Sequence, residues 1–595
     1  MQNLKPADIV IVGGGWTGLT MARELTKRTA HSVVVLERGP ARKLSDYSAS
    51  MDEVDYSIRH RMMQNIAEET VTHRHTIRDT AAPIRQYGSF LPGTGTGGAG
   101  EHWTGAAERH TPEDFSLATL MREKYGPRLP ADLALQDYPL TYDDLEPYYW
   151  RVEQMMGVGG KAGNIQGKIV EGGNPFEAPR SHEFPNPPHK MTYAMTLWEQ
   201  AAREAGYHPY PAPAATLTRN YTNPDGVSRG ACQYCGYCML YGCMVGAKAQ
   251  PTNTLMPLLR NKKDFTLRNE SWATRIVHRD GKAEGVVYRD EKGQEVMQPA
   301  GIVILASFTP NNSRLLLLSG IGQPYDPVTG KGTLGKNFTH TVGGGGGAAL
   351  FFDKPLNGFM NAGGQSMRIS DFDGFRGLDP ASGVLRGGVG VGGSGGGGHV
   401  IASFGRMPAG EVKRTWGSEW KNAAIRYYDR LGSGGNFEMD HLAWKHNFFD
   451  LDPTYKDKWG DPILRMTIDW TEHENSQRRL ASEVSTKIAT IMARISGAKL
   501  IPAGEPAGMR QSPRYQTATY ATTHLQGGAI MGNSRATSVV NPWLQHWDVP
   551  NLFVVGASAF PQNSASHPTL TAVALTMRTA DALIDRYMKH PGDLA

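Results

Sequence analysis

Cysteine is nearly absent from this chain. Its 595 residues contain four, and all of them, Cys232, Cys235, Cys238 and Cys243, lie in the stretch Ala231–Gly246. Long apolar runs are missing as well: none approaches the roughly 18 residues that a membrane helix needs. Charge of one sign is not in excess either, with 62 Lys and Arg against 57 Asp and Glu. No dense basic block interleaved with aromatics occurs, so nucleic acid is not expected as a partner. The first strand-like run begins at Asp8 after a short polar lead. The expectation is a soluble chain without a secretory signal of its own, with export on a partner's signal left open.

The opening carries a clear pattern. Asp8-Ile-Val-Ile-Val12, then Gly13-Gly14-Gly15-Trp16-Thr17-Gly18, then LTMARELTKR reads as strand, glycine turn and helix. A second apolar run, Ser32–Leu36, ends at Glu37, where a dinucleotide fold places an acid for ribose hydroxyls. Gly13 permits the tight turn, Gly15 lets backbone approach a pyrophosphate, and Gly18 allows close helix–strand packing. The bland alternative is a glycine-tolerant βα turn. Further on, Leu91–Gly100 is glycine-rich, includes Gly97 and Gly98, and runs into Glu101-His102-Trp103. Such backbone can lie flat against something planar such as an isoalloxazine, and bulky His102 and Trp103 argue against a flexible linker.

The cysteines at i, i+3 and i+6 can be wrapped by one tight loop around a common centre. Soft thiolates suit an iron–sulfur cluster; structural zinc is the main rival, although zinc ribbons usually separate their two CxxC pairs. Asp280-Gly281 and Lys292-Gly293 mark hairpins, Gly301–Ala306 reads as a buried strand, and Asn312 onward as a core helix. From about residue 340 to 480 glycine tracts and aromatics suggest a second domain. Asn551–Ala557 and the run from Ser566 then return the chain to the first.

These separated segments, with Leu334–His340, Thr523–Gly532 and Asn551–Leu575 in the same order, resemble the glucose-methanol-choline (GMC) oxidoreductases. The resemblance implies an α/β fold in which a Rossmann-like FAD-binding domain interlaces with a mixed-sheet substrate domain. The expected division is 1–340 with the cysteine loop at 231–246, then 341–505 for substrate, then 506–595 returning to the FAD domain. It also implies a catalytic pair at His524 and His567, the former a proton acceptor whose imidazole titrates near working pH. His102, in His-Trp-Thr-Gly, resembles the segment of pyranose 2-oxidases that bonds FAD covalently. The cysteine loop is similar to that of membrane-associated bacterial sugar, polyol and sugar-acid dehydrogenases. Those carry a [3Fe–4S] cluster, a small subunit and a multihaem cytochrome c partner at the periplasmic face of the inner membrane; a cytoplasmic setting is the alternative. In FAD-linked glucose dehydrogenases five residues separate the first two cluster ligands and three the last two. Here Cys232 to Cys238 keeps the first interval, but four residues separate Cys238 from Cys243. Cys232, Cys238 and Cys243 are the expected ligands, with Cys235 open and [4Fe–4S] the other nuclearity. An oxygen-using pyranose-oxidase-like enzyme and a zinc-bearing binding protein are the competing readings.

Overall fold

The computed structural model describes residues 2–594 except for 48–50, 53, 66–67, 85–91, 239, 345–347, 357–359, 380–381, 394–411, 413, 415, 428–429 and 502–523. The expectations for Leu91, for residues 345–347 and 394–398 of the glycine tracts, and for Thr523 fall outside the described residues.

Strand β1 (Ala7–Val12) is apolar on both faces because it lies in the middle of a sheet, with Ile9, Val10 and Ile11 fully buried. It turns through Gly13–Gly15 into α1 (Trp16–Arg28), which ends in Lys27 and Arg28, cations at the negative end of the helix. Strand β2 (Val33–Leu36) runs parallel to β1 with Val33 opposite Ile9. Helix α2 (Tyr142–Met156) starts at Thr141, whose hydroxyl accepts from the Asp144 amide at 3.2 Å while the Asp144 carboxylate accepts from the Thr141 amide at 2.8 Å.

Strand β3 (Phe265–Arg268) extends the sheet beside β2, again parallel. The hairpin of β4 (Trp272–Arg279) and β5 (Lys282–Arg289) closes through Asp280 and Gly281. Both have positive φ, 49° and 72°, in the left-handed region that a two-residue turn of this hand needs. Next, β6 (Glu295–Leu305) pairs antiparallel with β5 and, in its later half, parallel with β1. The hairpin partner and the expected strand from Gly301 are therefore one continuous strand. Helix α3 (Thr309–Ser319) follows.

The second sheet is antiparallel, in the order β7 (Val342–Gly344), β10 (Asn436–Met439), β9 (Gly388–Gly392), β8 (Met367–Ile369), with Tyr210–Pro211 at its far edge. Helix α4 (Glu472–Ser496), capped by Thr471, packs Val484 and Ile488 into the core that holds Phe437, Met367 and Ile369. A four-stranded sheet joins Thr72–Arg74 and Ala82–Pro83 to Phe448–Lys456 and Pro462–Thr467. Early segments thus complete late sheets, and the two units interlace along the chain. Strand β11 (Leu552–Val554) then returns beside β6, and α5 (Pro568–Ala582) packs against α1 and α2. The fold is α/β with mixed sheets.

Candidate active site

A cavity of about 400 Å³ runs from Glu37 and Trp272 at one end to His524 and His567 at the other. The residues that open it are glycines. A Cβ on Gly13, whose φ is 109°, would lie 2.4 Å from the Ala306 carbonyl oxygen, and one on Gly18 would lie 2.0 Å from that of Gly13. Gly15 is different: the nearest atom to such a Cβ is the Gly97 oxygen at 3.8 Å, so the backbone here is bare toward the cavity. The Gly97 amide donates to the Gly14 carbonyl at 2.8 Å, which lays the second glycine stretch over the first, and Gly98 faces Gly15. The N-termini of α1 and α5 both open onto the cavity, where their dipoles favour a phosphate-bearing ligand. Glu37 is held by the amides of Gly14 and Gly39, each at 2.9 Å, and burial raises its carboxyl despite those bonds. A long, flat, phosphate-linked molecule fits this cradle.

His102 is buried and lines the same cavity, as does Trp103. The Trp103 indole donates to the Ala249 carbonyl at 2.7 Å and packs edge-on against Trp16 at 5.8 Å. Beneath it Glu101 accepts from Gln250, from the Thr252 hydroxyl and from the Thr252 amide at 2.6, 2.8 and 3.0 Å. Burial outweighs these bonds and pushes its carboxyl up to about 7.

His524 and His567 meet at the far end, ring centres 4.5 Å apart. They come from different segments, one just before the Gly527–Gly528 turn and the other at the start of α5. Their environments divide them. Burial and the neighbouring His567 lower His524 to about 3, against the pull of Glu438. Burial also works against a charge on His567, but Glu438 and Glu108 outweigh it and raise that ring above its ordinary value. His567 Nε2 donates to Glu438 Oε1 at 2.8 Å. The Glu438 carboxyl is driven well down, burial being overcome by Arg368 and His567. Arg368 forms ion pairs with both acids, Nη2 lying 2.9 Å from Glu438 Oε2 and Nε 2.9 Å from Glu108 Oε1. The arrangement sets an imidazole whose charge is disfavoured beside one whose charge is favoured, the pattern of a proton acceptor beside a donor.

Sequence reasoning missed Glu438, Arg368 and Glu108. For Glu438 there was a faint signal: in Asn436–Met439 the alternating Phe437 and Met439 enter the core, so the acid between them points to the opposite face.

The cysteine loop lies directly beside the cavity, to which it contributes Leu240. The buried Lys248 ammonium ties the two together, donating to the carbonyls of Trp103, Tyr241 and Cys238 at 2.6, 2.7 and 3.1 Å. Cys238 and Cys243 are buried, Cys232 and Cys235 half-buried, and all four are free thiols. Burial pushes Cys232 up to about 11 and Cys238 up to about 12. Among the described residues, however, no three or more His, Cys, Asp or Glu side chains are grouped to hold a metal ion. The expectation that Cys232, Cys238 and Cys243, with or without Cys235, hold a cluster is not shown by this arrangement. The backbone at each cysteine bonds a different neighbour: Cys232 to Leu217, Cys235 to Asn361, Cys238 to Lys248 and Cys243 to Gln250. No catalytic step below passes through a cluster.

The family profile described as GMC oxidoreductase matches residues 186–342 in its N-terminal part and 445–576 in its C-terminal part. That of FAD dependent oxidoreductase matches residues 8–137. Gluconate 2-dehydrogenase flavoprotein of Pantoea cypripedii is 40% identical over all of this chain and 96% of its own length. The chain belongs to the GMC oxidoreductase family. As a member it is an FAD-dependent oxidoreductase acting on CH–OH groups. Fructose dehydrogenase large subunit of Gluconobacter japonicus is 24% identical over 97% of this chain and 98% of the relative. Among solved structures, pyridoxine 4-oxidase from Mesorbium loti shares the fold with a TM-score of 0.62 at 14% identity, covering 98% of this chain and 100% of that one.

Proposed function

We propose that this protein is a dehydrogenase that oxidises a secondary hydroxyl of a sugar acid, sugar or polyol, and foremost the hydroxyl next to the carboxylate of an aldonic acid such as gluconate. The observation that carries the chemistry is the split pair, His524 with its charge disfavoured facing His567 with its charge favoured across 4.5 Å at the end of the flavin cavity. The relative that is 40% identical supplies the substrate class. FAD, held by the Gly13–Gly18 turn, Gly97, Gly98 and Glu37, supplies a two-electron acceptor for hydride. His524 takes the hydroxyl proton as the carbon–hydrogen bond breaks. His567, charged through Glu438, donates to the substrate oxygen and steadies the negative charge gathering there. The glycine cradle and Trp103 exclude water from the reacting face. His102, which lines the cavity, is the proposed point of a covalent flavin link; acid precipitation that leaves the yellow colour in the pellet supports that link, and free flavin in the supernatant defeats it.

The acceptor side of the proposal rests on the cysteine loop, four thiols beside the flavin cavity and no carboxylate among them. That composition suits an iron–sulfur cluster, whose binding would require the thiols to close onto the metal. Exposed Met360 and Met244 flank Cys235 and Cys243, and Met191 and Tyr193 lie nearby on the segment whose Lys190 amide donates to Tyr234. This apolar rim suits a docked redox subunit, a small subunit with a cytochrome c-type carrier, which would hold the enzyme at the periplasmic face of an inner membrane. Anaerobic mixing with gluconate and a panel of sugars and polyols tests the reading: flavin bleaching by an aldonic acid supports it. Rapid peroxide production in air, with no turnover on artificial one-electron acceptors, would point to an oxidase instead.

A further inference from the structure

Four ionisable side chains alternate in sign from the site inward: His567, Glu438, Arg368 and Glu108. They arrive from four separate places, α5, β10, β8 and the loop after Trp103. Arg368 is the hinge of the set. Its Nη2 lies 2.9 Å from Glu438 and 3.4 Å from His567 Nε2, and its Nε lies 2.9 Å from Glu108. Arg368 is 2% exposed and Glu108 7%, so neither charge is answered by bulk water, and a guanidinium cannot give up its proton in a protein. With His567 protonated the four charges cancel. Without Glu108 a surplus positive charge is left in a buried place, and the proton on His567 is the one charge free to leave. The other ionisable groups around this set include His524 across the cavity, Tyr210, which stands beside Arg368 on the neighbouring strand, and Arg109, His110, Lys161, Glu177 and Asp373, which line a cavity of about 70 Å³ together with Glu108, Arg368 and Ser566.

We propose that Glu108 and Arg368 are a positioning pair for the reaction, which fixes the charge of His567 from behind Glu438 without touching substrate. This rests on the reading of His567 as the charged donor. Glu108 cancels Arg368, so that Arg368 can orient the Glu438 carboxylate without displacing the imidazolium from it. The remote carboxylate thereby decides up to which pH the donor stays charged.

The experiment is the pH profile of kcat/KM with an added artificial acceptor for wild type, Glu108→Gln, Glu108→Asp and the double variant Glu108→Gln/Arg368→Met. Loss of rate on the alkaline side reports His567 in the free enzyme. Glu108→Gln is expected to move that limb to lower pH by about half a unit or more, Glu108→Asp to leave it near the wild-type position, and the double variant, which removes opposite charges together, to return it there. If Glu108→Gln fails to fold around flavin, the double variant against Arg368→Met alone gives the same comparison. An unmoved limb with uniformly lower rates, or an equal shift in Glu108→Asp, overturns the proposal. Should no hydroxy compound reduce the wild-type flavin, the functional reading fails on its own, and the His567 charge is then read from its nitrogen NMR signals in the same variants.

Discussion

Glu438 reaches His567 across the interlaced units, Oε1 to Nε2 at 2.8 Å, and that contact, with Glu108 behind it, makes two chemically identical imidazoles unlike. Without it, burial opposes a charge on both rings and the donor is weakened. Replacing Glu438 with Gln keeps the shape and removes the charge. A hydrogen bond to a charged group contributes about 1.5–3 kcal/mol, so kcat/KM should fall about 10- to 100-fold. Flavin binding should be unchanged, as measured by the absorption spectrum after gel filtration.

Acid should destabilise the fold. His73, His110, His189, His340 and His546 are lowered by burial to about 3 or 4, whereas the unfolded rings titrate near 6.5. Below that pH the unfolded chain takes up protons the native one refuses, so stability falls as pH drops from about 6.5 toward 4. Glu101, raised to about 7, and Asp373, raised to about 6, work the other way, since their folded forms retain protons that the unfolded carboxyls release above about 4.5. Five rings against two carboxyls leave a net loss on acidification. Calorimetry between pH 7 and 5 should show the melting temperature falling with pH.

Gly13→Ala should strip the flavin. The position has φ of 109° and would push a methyl group to 2.4 Å from the Ala306 carbonyl oxygen. Forcing an L-residue into such backbone costs about 1–3 kcal/mol, and the turn must shift to relieve the contact. The expected outcome is a colourless or flavin-poor protein, checked by the ratio of visible to ultraviolet absorbance.

The β1–α1–β2 unit and the closing strand and helix were legible because their apolar runs sit between glycine turns that leave little choice of conformation. The hairpin at Asp280-Gly281 was legible for the same reason. The strand through Pro299 was not, since a proline and a glycine at Gly301 divide its apolar pattern in two. Of the site, both histidines were recognised by resemblance, while Glu438 and Arg368 lie on strands of three or four residues, too short for periodicity to give more than the faint alternation around Glu438. The cysteine loop shows the limit of spacing: proximity in sequence was plain, but whether the sulfurs converge depends on what each cysteine's neighbours bond to.

Iron analysis addresses that loop. If a cluster is bound, the purified protein should hold about three or four iron atoms per chain, the content of the two cluster types, and Cys238→Ser should lose them. Cys235→Ser should keep them if Cys235 is not a ligand. Protein without iron whose four thiols all react with an alkylating agent after denaturation would remove the cluster from the account.

The most direct measurement is anaerobic stopped-flow reduction of the bound flavin, wild type beside His524→Ala. With gluconate or a related sugar acid the wild-type absorbance should bleach in a single substrate-dependent phase. His524→Ala should bind flavin equally well and bleach about 100- to 10,000-fold more slowly, the usual contribution of a positioned proton acceptor. Bleaching at the wild-type rate in His524→Ala would contradict the account.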